Sequence, residues 1–159
     1  MPPPPCDLTI RPATVSDLPR VVALFAAADG NERDQGKADQ QPLDPSYASA
    51  LLAMARYTYN RLYVADVAGH VAGVFQLTIL QHVAHRGGRI AQVETVFVDP
   101  SERGAGVGEA MMRWAIEEAR RGGCFRIQLT SYKERARAHG FYERLGFVAT
   151  HEGMKLPLR

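Results

Sequence analysis

Residues 92–109, QVETVFVDPSERGAGVGE, contain the residue types best suited to chemistry in this chain. Arg103 stands among closely spaced glycines, Gly104, Gly106 and Gly108, directly before a segment with helical periodicity. A helix N-terminus offers unpaired backbone N–H groups and a partial positive charge to an anion. Glycines let phosphate oxygens approach those groups, and an arginine fork suits phosphate. The pattern predicts a phosphate-binding turn, although a tight strand-to-helix turn without a ligand would look similar.

Two better-known phosphate-binding patterns do not fit this turn. GAGVG, residues 104–108, is not the G-x-G-x-x-G of dinucleotide-binding folds, and no Asp or Glu closes the next predicted strand to bind a ribose. No Gly-Lys-Ser or Gly-Lys-Thr follows, as a nucleotide-hydrolase phosphate loop requires. A phosphate bound at this turn would therefore be held by a pattern different from these two.

Glu94 precedes the turn on a strand predicted over Arg89–Val98. Strict alternation would place it on one face with the apolar residues Ile90, Val96 and Val98. Desolvation in mostly apolar surroundings would make this carboxylate a better base, acting through a water. The alternative is a structural Glu that orients a substrate ammonium or pairs with an arginine.

The segments around these residues alternate between strand and helix character. Strands are predicted over residues Leu8–Pro12, 62–67, 71–80, Arg89–Val98, 125–130 and 148–156. Helices are predicted from a cap at Ser16 to residues 29–31, over 46–57, over Val107–Arg121, and over a segment that ends at Gly146. The polar stretch 32–45 is interpreted as a loop. This order predicts an α/β or α+β sheet with helices on its faces.

Length and charge predict one compact domain. Residues 1–7 form a proline-rich leader that we expect to be disordered, and residues 8–159 should form a single domain. The formal net charge of +2, without a basic stripe, predicts no nucleic-acid partner. No apolar run approaches the roughly 20 residues that span a bilayer, so we expect no membrane partner and a cytoplasmic location.

The cysteines and histidines do not indicate a disulfide framework or a metal site. Cys6 and Cys124 are too few for such a framework, and Cys124 is interpreted as a small core residue rather than a nucleophile. His82 and His85 have H-x-x-H spacing, but a third ligand is not obvious and H-E-x-x-H is absent. We expect no metal and solvated loop histidines, with a substrate-lining role as the alternative.

Three stretches together resemble the GNAT superfamily of N-acetyltransferases. RGAGVG, residues 103–108, is similar to the family signature Arg/Gln-x-x-Gly-x-Gly/Ala. AHGFYERLGF, residues 138–147, resembles the family's next-to-last helix, where a Tyr precedes a Gly-Phe pair, and RPATVSDL, residues 11–18, resembles its opening strand and helix. The resemblance implies the GNAT fold, a mixed central sheet of about six to seven strands with splayed central strands, flanked by about four helices.

The same resemblance implies acetyl-coenzyme A as cosubstrate, with no metal. Its pantetheine arm would enter the gap between strands Arg89–Val98 and 125–130, and would hydrogen-bond to backbone of Val96, Phe97 and Val98. Its diphosphate would lie over the turn and helix start, formed by Arg103, Gly104, Ala105, Gly106, Val107, Gly108 and Glu109.

The resemblance also assigns roles to two residues near the end of the chain. Tyr142 would donate a proton to the departing coenzyme A thiolate, although a purely amphipathic core Tyr would give the same pattern. Many relatives carry an Asn in the loop before this helix, whereas this chain has Arg135, which could instead reach a cofactor phosphate.

The predicted function is transfer of an acetyl group from acetyl-coenzyme A to a primary amine of a small molecule, by direct attack in a ternary complex. The chain's end resembles small-molecule N-acetyltransferases, including the aminoalkylphosphonate class. The alternatives are a non-catalytic domain that binds or senses coenzyme A, and an acetyltransferase for protein lysines or N-termini. A different acyl chain is also open, as is a homodimer, since dimers are common among relatives.

Overall fold

The sheet at the centre of the molecule has its strands in sequence order. The computed structural model describes residues 3–27 and 42–158. Its strands are β1 (Leu8–Pro12), β2 (Asn60–Val67), β3 (His70–Gln81), β4 (Arg89–Val98) and β5 (Cys124–Leu129). Neighbouring strands are antiparallel from β1 to β4, and β4 and β5 are parallel. The mixed α/β fold class is confirmed, and the described residues form five strands, fewer than expected.

Helices cover both faces of this sheet. Those of the described residues are α1 (Leu18–Ala26), α2 (Pro45–Ala55), the single turn α3 (Ala84–Gly87), α4 (Val107–Arg121) and α5 (Ala136–Arg144). Because β4 and β5 are parallel, the chain must cross over between them, and α4 makes that crossover. Within the described ranges, no helix has both the length and the apolar character required to cross a bilayer.

The start of α1 differs from the prediction that Ser16 caps it. A 3-10 turn, Val15–Asp17, precedes the helix, and its N-cap is Thr14. Asp17 accepts the Thr14 N–H at 2.7 Å and pairs with Arg11 at 2.8 Å, so these contacts fix the helix start. The Arg11 hydrogen bonds lower the pKa of Asp17 from 3.8 to about 2. The predicted helix end at residues 29–31, and most of the predicted loop 32–45, lie outside the described residues.

Each face of the sheet has its own hydrophobic cluster. The α4 face is packed by α4, and its fully buried side chains include Phe75, Val93, Met111, Met112 and Ala115. The α1–α2 face is packed by α1 and α2, and its buried side chains include Val21, Leu24, Leu51, Val64 and Val74. Along the predicted helix Val107–Arg121, Met111, Ala115 and Ala119 are buried in the α4-face cluster, and Trp114 is partly buried.

One extra residue in β4 changes the alternation of its side chains. Gln76 of β3 pairs with Glu94, whereas Val74 pairs with Phe97, so two residues of β4 stand opposite one of β3. Thr95 has a left-handed φ of +57°, which makes this a β-bulge. Because a one-residue shift reverses the facing of every later side chain, the residues beyond Thr95 face opposite to strict alternation.

β4 and β5 pair over only part of their length. Their register runs from Arg89 opposite Cys124 to Val93 opposite Leu129. Residues 94–98 of β4 have no strand partner on the β5 side within the described part of the chain. The expected splaying of the central strands is therefore confirmed, and it begins at Glu94.

The final predicted strand, residues 148–156, is wrong. These residues have no strand conformation and no ladder partner among the described residues. Their apolar side chains are exposed, 76% for Val148 and 92% for Met154, so no packing holds the segment against the sheet. Apolar alternation specifies a strand only where a neighbouring strand and a core are available to it.

Candidate active site

The turn between β4 and α4 is shaped by a carboxylate cap and two glycines. Asp99 accepts hydrogen bonds from the N–H and the hydroxyl of Ser101, at 2.7 and 2.6 Å. Gly104 and Gly106 have φ of +89° and +83°, where a side chain would be strained. Gly106 is the N-cap of α4, which begins at Val107. The glycine spacing therefore allows the chain to turn sharply into the helix.

The N-terminal end of α4, residues 106–109, which we call the mouth of α4, offers a row of backbone hydrogen-bond donors. Within the described residues, the backbone N–H groups of residues 106–109 find no acceptor. The first N–H bonded back to this turn is that of Ala110, which donates to the Gly106 carbonyl at 3.0 Å. Arg103 adds an exposed guanidinium that has no partner among the described residues. Such a helix start binds anions, so its donors fit a diphosphate.

The side chains of the turn contribute less than its backbone. Val107 is 1% exposed and packs in the α4-face cluster, so only its N–H can meet a ligand. A Cβ at Gly108 would lie 3.4 Å from Val98 and point into the protein. Ala105 is half-buried, and Glu109 pairs with Arg113 at 2.7 Å on the helix. Apart from Arg103, this turn therefore offers a ligand mainly its backbone N–H groups.

Residues 94–98 of β4, which are not paired with β5, form one wall of the gap between these two strands. Val96 and Val98 pack against the α4-face cluster. Phe97 packs on the other face, edge-on to Phe25 with ring centroids 5.6 Å apart. All three gap residues are half-buried. A chain entering the gap would therefore meet peptide groups and apolar side chains.

Glu94 lies where the gap opens, but its surroundings differ from the prediction. Because of the bulge at Thr95, Glu94 does not share a face with Val96 and Val98. Its side chain is exposed on the α1–α2 face, not enclosed by apolar residues. Gln92 Nε2 donates to it at 3.4 Å.

A second glutamine extends this contact across the two strands. Gln128 on β5 donates to Gln92 Oε1 at 2.8 Å. Since a carboxylate only accepts, Gln92 must turn its amide nitrogen to Glu94 and its oxygen to Gln128. Gln92 therefore directs its donor toward Glu94, and Gln128 holds Gln92 in that orientation from β5.

Tyr142 lies in the α4-face cluster, with its ring among aromatic neighbours. The ring centroids of Phe141 and Phe147 are 5.1 and 5.8 Å away. Its hydroxyl has no hydrogen-bond partner among the described residues and is not fully enclosed. Burial raises the pKa of Tyr142 above its usual 10.0, while nearby Arg135 opposes that rise. The phenol is therefore protonated at neutral pH and able to donate.

Glu94 and Tyr142 lie on opposite faces of the sheet, with the gap beside β4 between them. Tyr142 packs with Val93 and Val96 on the α4 face, whereas Glu94 follows Val93 and points to the α1–α2 face. A carbonyl in the gap could thus meet a base from one side and an acid from the other.

The loop before α5 holds Arg135 and fixes His139. The Arg135 guanidinium lies 5.3 Å from the ring centroid of Tyr132. His139 Nε2 lies 2.9 Å from the Tyr132 carbonyl, so the ring donates to backbone there. His139 therefore braces the loop.

The two loop histidines have different environments. His85 is exposed and contacts Phe125, with ring centroids 4.8 Å apart. His82 is half-buried, and its Nε2 is buried without a partner in the described residues, so the expectation of a solvated side chain is wrong for His82. The backbone N–H of His82 donates to the Gly88 carbonyl at 3.0 Å.

Two parts of this site have no clear signal in the sequence. The Gln92–Gln128 contact depends on the register of β4 and β5, which residue patterns alone do not give. The part-buried pair formed by Arg20 and Asp99 joins residues far apart in the chain. Asp99 before Pro100 is itself a turn signal, but its partner could be found only from the fold.

Comparisons with known proteins place the chain in a family. The model of the acetyltransferase (GNAT) family matches residues 25–147. An aminoalkylphosphonate N-acetyltransferase from Salmonella typhimurium is 32% identical over 148 residues, covering 93% of this chain and 88% of that protein. A glucosamine 6-phosphate N-acetyltransferase from Trypanosoma brucei brucei is 34% identical over 99 residues, covering 62% and 65%.

A solved structure shows the same architecture. A protein from Bacillus halodurans C-125, described as a transcriptional regulator, superposes with a TM-score of 0.89 at 36% identity. The match covers 95% of this chain and 99% of that one. Since the family model spans most of the chain and the Salmonella typhimurium relative covers nearly all of it, this chain belongs to the acetyltransferase (GNAT) family and is an N-acetyltransferase.

Proposed function

We propose that this protein transfers an acetyl group from acetyl-coenzyme A to a primary amine of a small molecule, in one ternary complex. The observation that carries the proposal is the position of the gap beside residues 94–98 of β4, which leads directly to the donor-rich mouth at residues 106–109. A thioester arm in the gap and a diphosphate at the mouth would belong to one extended molecule.

The donor is held mainly by backbone in this proposal. Residues 106–109 supply N–H groups for the diphosphate, and Arg103 supplies a charged fork. Val96, Phe97 and Val98 supply the strand edge for the pantetheine arm. Arg135 is a candidate for a further phosphate contact, since it stands at the N-cap of α5 and is half-buried.

The chemistry needs one base and one acid. The neutral amine attacks the thioester carbonyl, a C–N bond forms, and the C–S bond breaks. Glu94, through a water, takes the proton that the amine loses. Tyr142 gives its proton to the departing thiolate and regains one from solvent. The raised pKa of Tyr142 supports this role, because the phenol is fully protonated at neutral pH.

The acceptor should approach from the α1–α2 face, where Glu94 is exposed. That face carries a polar row beside Glu94, in which Gln76 and Thr78 donate to Asn60 Oδ1 at 2.9 and 3.0 Å. Two relatives are named for amines that carry a phosphate or a phosphonate. Aminoalkylphosphonates and amino sugar phosphates are therefore the first acceptors to test.

The experiment is a thiol-release assay with acetyl-coenzyme A and a panel of amines. The panel contains aminoalkylphosphonates, amino sugars with and without phosphate, polyamines and a lysine peptide. We expect release of coenzyme A to depend on a small-molecule amine, with the acetylated amine detected by mass spectrometry. Activity restricted to the peptide would overturn the proposed substrate class. Tight binding of acetyl-coenzyme A without turnover of any amine would instead indicate a sensing role.

A further inference from the structure

A buried carboxylate lies at the base of the turn that would hold the diphosphate. Asp99 is 9% exposed, and its N–H donates to the Ala72 carbonyl at 2.8 Å. Its Oδ1 accepts both the N–H and the hydroxyl of Ser101. Its Oδ2 accepts a hydrogen bond from Arg20 Nη2. Asp99 therefore determines where β4 stops and the turn begins.

Arg20 reaches this carboxylate from α1, a different part of the fold. Its Nε donates to the Val71 carbonyl on β3 at 3.1 Å, and its Nη2 lies 3.4 Å from His70 Nε2. The Arg20 side chain is 36% exposed, so water reaches it only in part. Arg20 therefore connects α1 to β3 through the Val71 carbonyl, and to the turn through Asp99.

The charge of Asp99 opposes an anion site on the same turn. Asp99 stands four residues before Arg103, and an uncompensated buried carboxylate would repel a diphosphate bound over that turn. Its acceptor oxygen is nevertheless needed by Ser101. A fixed cation at Oδ2 removes the repulsion and leaves the cap in place. Two further acids lie near the turn: Glu109 is paired with Arg113, and Glu102 stands directly before the guanidinium-bearing Arg103.

We propose that Arg20 is a positioning residue for donor binding, which neutralises the charge of Asp99 so that the turn can accept the diphosphate. This inference rests on the proposed function, because it requires the diphosphate to lie over that turn. It assigns Arg20 no contact with the reacting atoms. Its effect should therefore appear in the KM for the donor and not in kcat.

The test compares two donors, acetyl-coenzyme A and S-acetylpantetheine, which has the same thioester arm without the diphosphate. Arg20→Met should raise the KM for acetyl-coenzyme A on the order of tenfold, by loss of a nearby compensating charge. The KM for S-acetylpantetheine and both kcat values should stay close to wild type. Arg20→Lys, which keeps the charge, should restore most of the affinity.

A second substitution separates charge from architecture. Asp99→Asn keeps an Oδ1 acceptor for Ser101 but removes the negative charge. In the Arg20→Met background it should recover most of the lost affinity for acetyl-coenzyme A. Asp99→Asn alone should bind acetyl-coenzyme A at least as tightly as wild type, which keeps the test available if Arg20→Met does not fold.

The outcomes distinguish this inference from the proposed function. Equal losses with both donors, no recovery in the double variant, or weaker binding by Asp99→Asn alone would each overturn the role of Arg20. If Arg20→Met retains a wild-type preference for acetyl-coenzyme A over S-acetylpantetheine, the Arg20 inference alone fails. If the wild-type protein shows no such preference, the diphosphate site itself is wrong, and the inference fails with it.

Discussion

Replacing Tyr142 with phenylalanine isolates the proposed acid, because the change removes only the hydroxyl. The ring contacts with Phe141 and Phe147 remain. The hydroxyl has no hydrogen-bond partner among the described residues, so its removal leaves no protein group unpaired. The Tyr142→Phe variant should therefore fold normally while lacking the proton that the thiolate would receive.

The two expected magnitudes are very different. Loss of a general acid lowers kcat on the order of 10²–10⁴-fold, or about 2.7–5.4 kcal/mol of transition-state stabilisation. Loss of an unpaired hydroxyl should change the free energy of unfolding by less than about 0.5 kcal/mol. For a chain of this size that corresponds to a melting-temperature change of roughly 1–2 °C.

The assay measures kcat by thiol release at saturating donor and acceptor, with the melting temperature of each variant measured alongside. Tyr132→Phe is the matched control, since Tyr132 is 53% exposed in the loop before α5 and its ring contact with Arg135 needs no hydroxyl. In wild type, burial raises the pKa of Tyr142 above 10.0, so the protonated acid should persist and kcat should not fall until more alkaline pH. That alkaline fall should be absent from Tyr142→Phe.

A Tyr142→Phe variant that retains kcat within about threefold of wild type would refute the acid role, given the effect expected of a general acid. A loss of kcat equal to that of Tyr132→Phe would also refute the acid role, because it would show an effect on the loop before α5 and not on proton transfer. A large fall in melting temperature would show instead that the hydroxyl is structural.

Three further results are expected. Glu94→Gln should lower kcat/KM about 10²-fold or more in the same assay, because an amide cannot take the proton of the amine. Gly106→Ala should weaken acetyl-coenzyme A binding in calorimetry more than Gly123→Ala, whose φ of +70° causes comparable strain at the other end of α4. The pKa of Asp17 is lowered from 3.8 to about 2 in the folded protein. As pH falls from about 4 toward about 2, Asp17 is therefore protonated first in the unfolded chain, and the stability that its ionised form contributes should be lost. Urea unfolding should show a loss of about 1–2 kcal/mol, absent from Asp17→Asn.

Each of these three expectations has a result that contradicts it. Wild-type turnover by Glu94→Gln would leave this residue no part in proton transfer. Equal affinity losses in Gly106→Ala and Gly123→Ala would attribute the effect to backbone strain and not to the mouth of α4. An Asp17→Asn protein that loses stability over the same acid range would show that other carboxylates cause the loss.

The parts of the site with local causes could be predicted from the sequence. β4 and α4 were predicted with the bounds that the structure has, Arg89–Val98 and Val107–Arg121. A strand run, a Pro stop and closely spaced glycines act over a few residues, so their effect can be inferred without knowing the fold. The roles of Glu94 and Tyr142 remain predictions, and strict alternation placed Glu94 on the wrong face relative to Val96 and Val98.

The parts with non-local causes could not be predicted in this way. The bulge at Thr95 was missed because a β-branched residue gives no signal for a left-handed φ, and because the bulge is defined only against β3. The same limit explains the wrong final strand, since alternation in residues 148–156 cannot show whether a neighbouring strand is present. The Arg20–Asp99 pair likewise depends on how α1 packs.

The extra residue at Thr95 has a consequence for how this enzyme could diversify. It sends Val96 and Val98 to the side where α4 packs, and leaves Glu94 and Phe97 on the α1–α2 side, from which the proposed amine would approach. If the proposed function holds, mutations that reshape the amine side can accumulate without disturbing the side that would line the thioester arm. New substrate preferences could evolve, or be engineered, on one side of a single strand while its other side keeps serving the same donor.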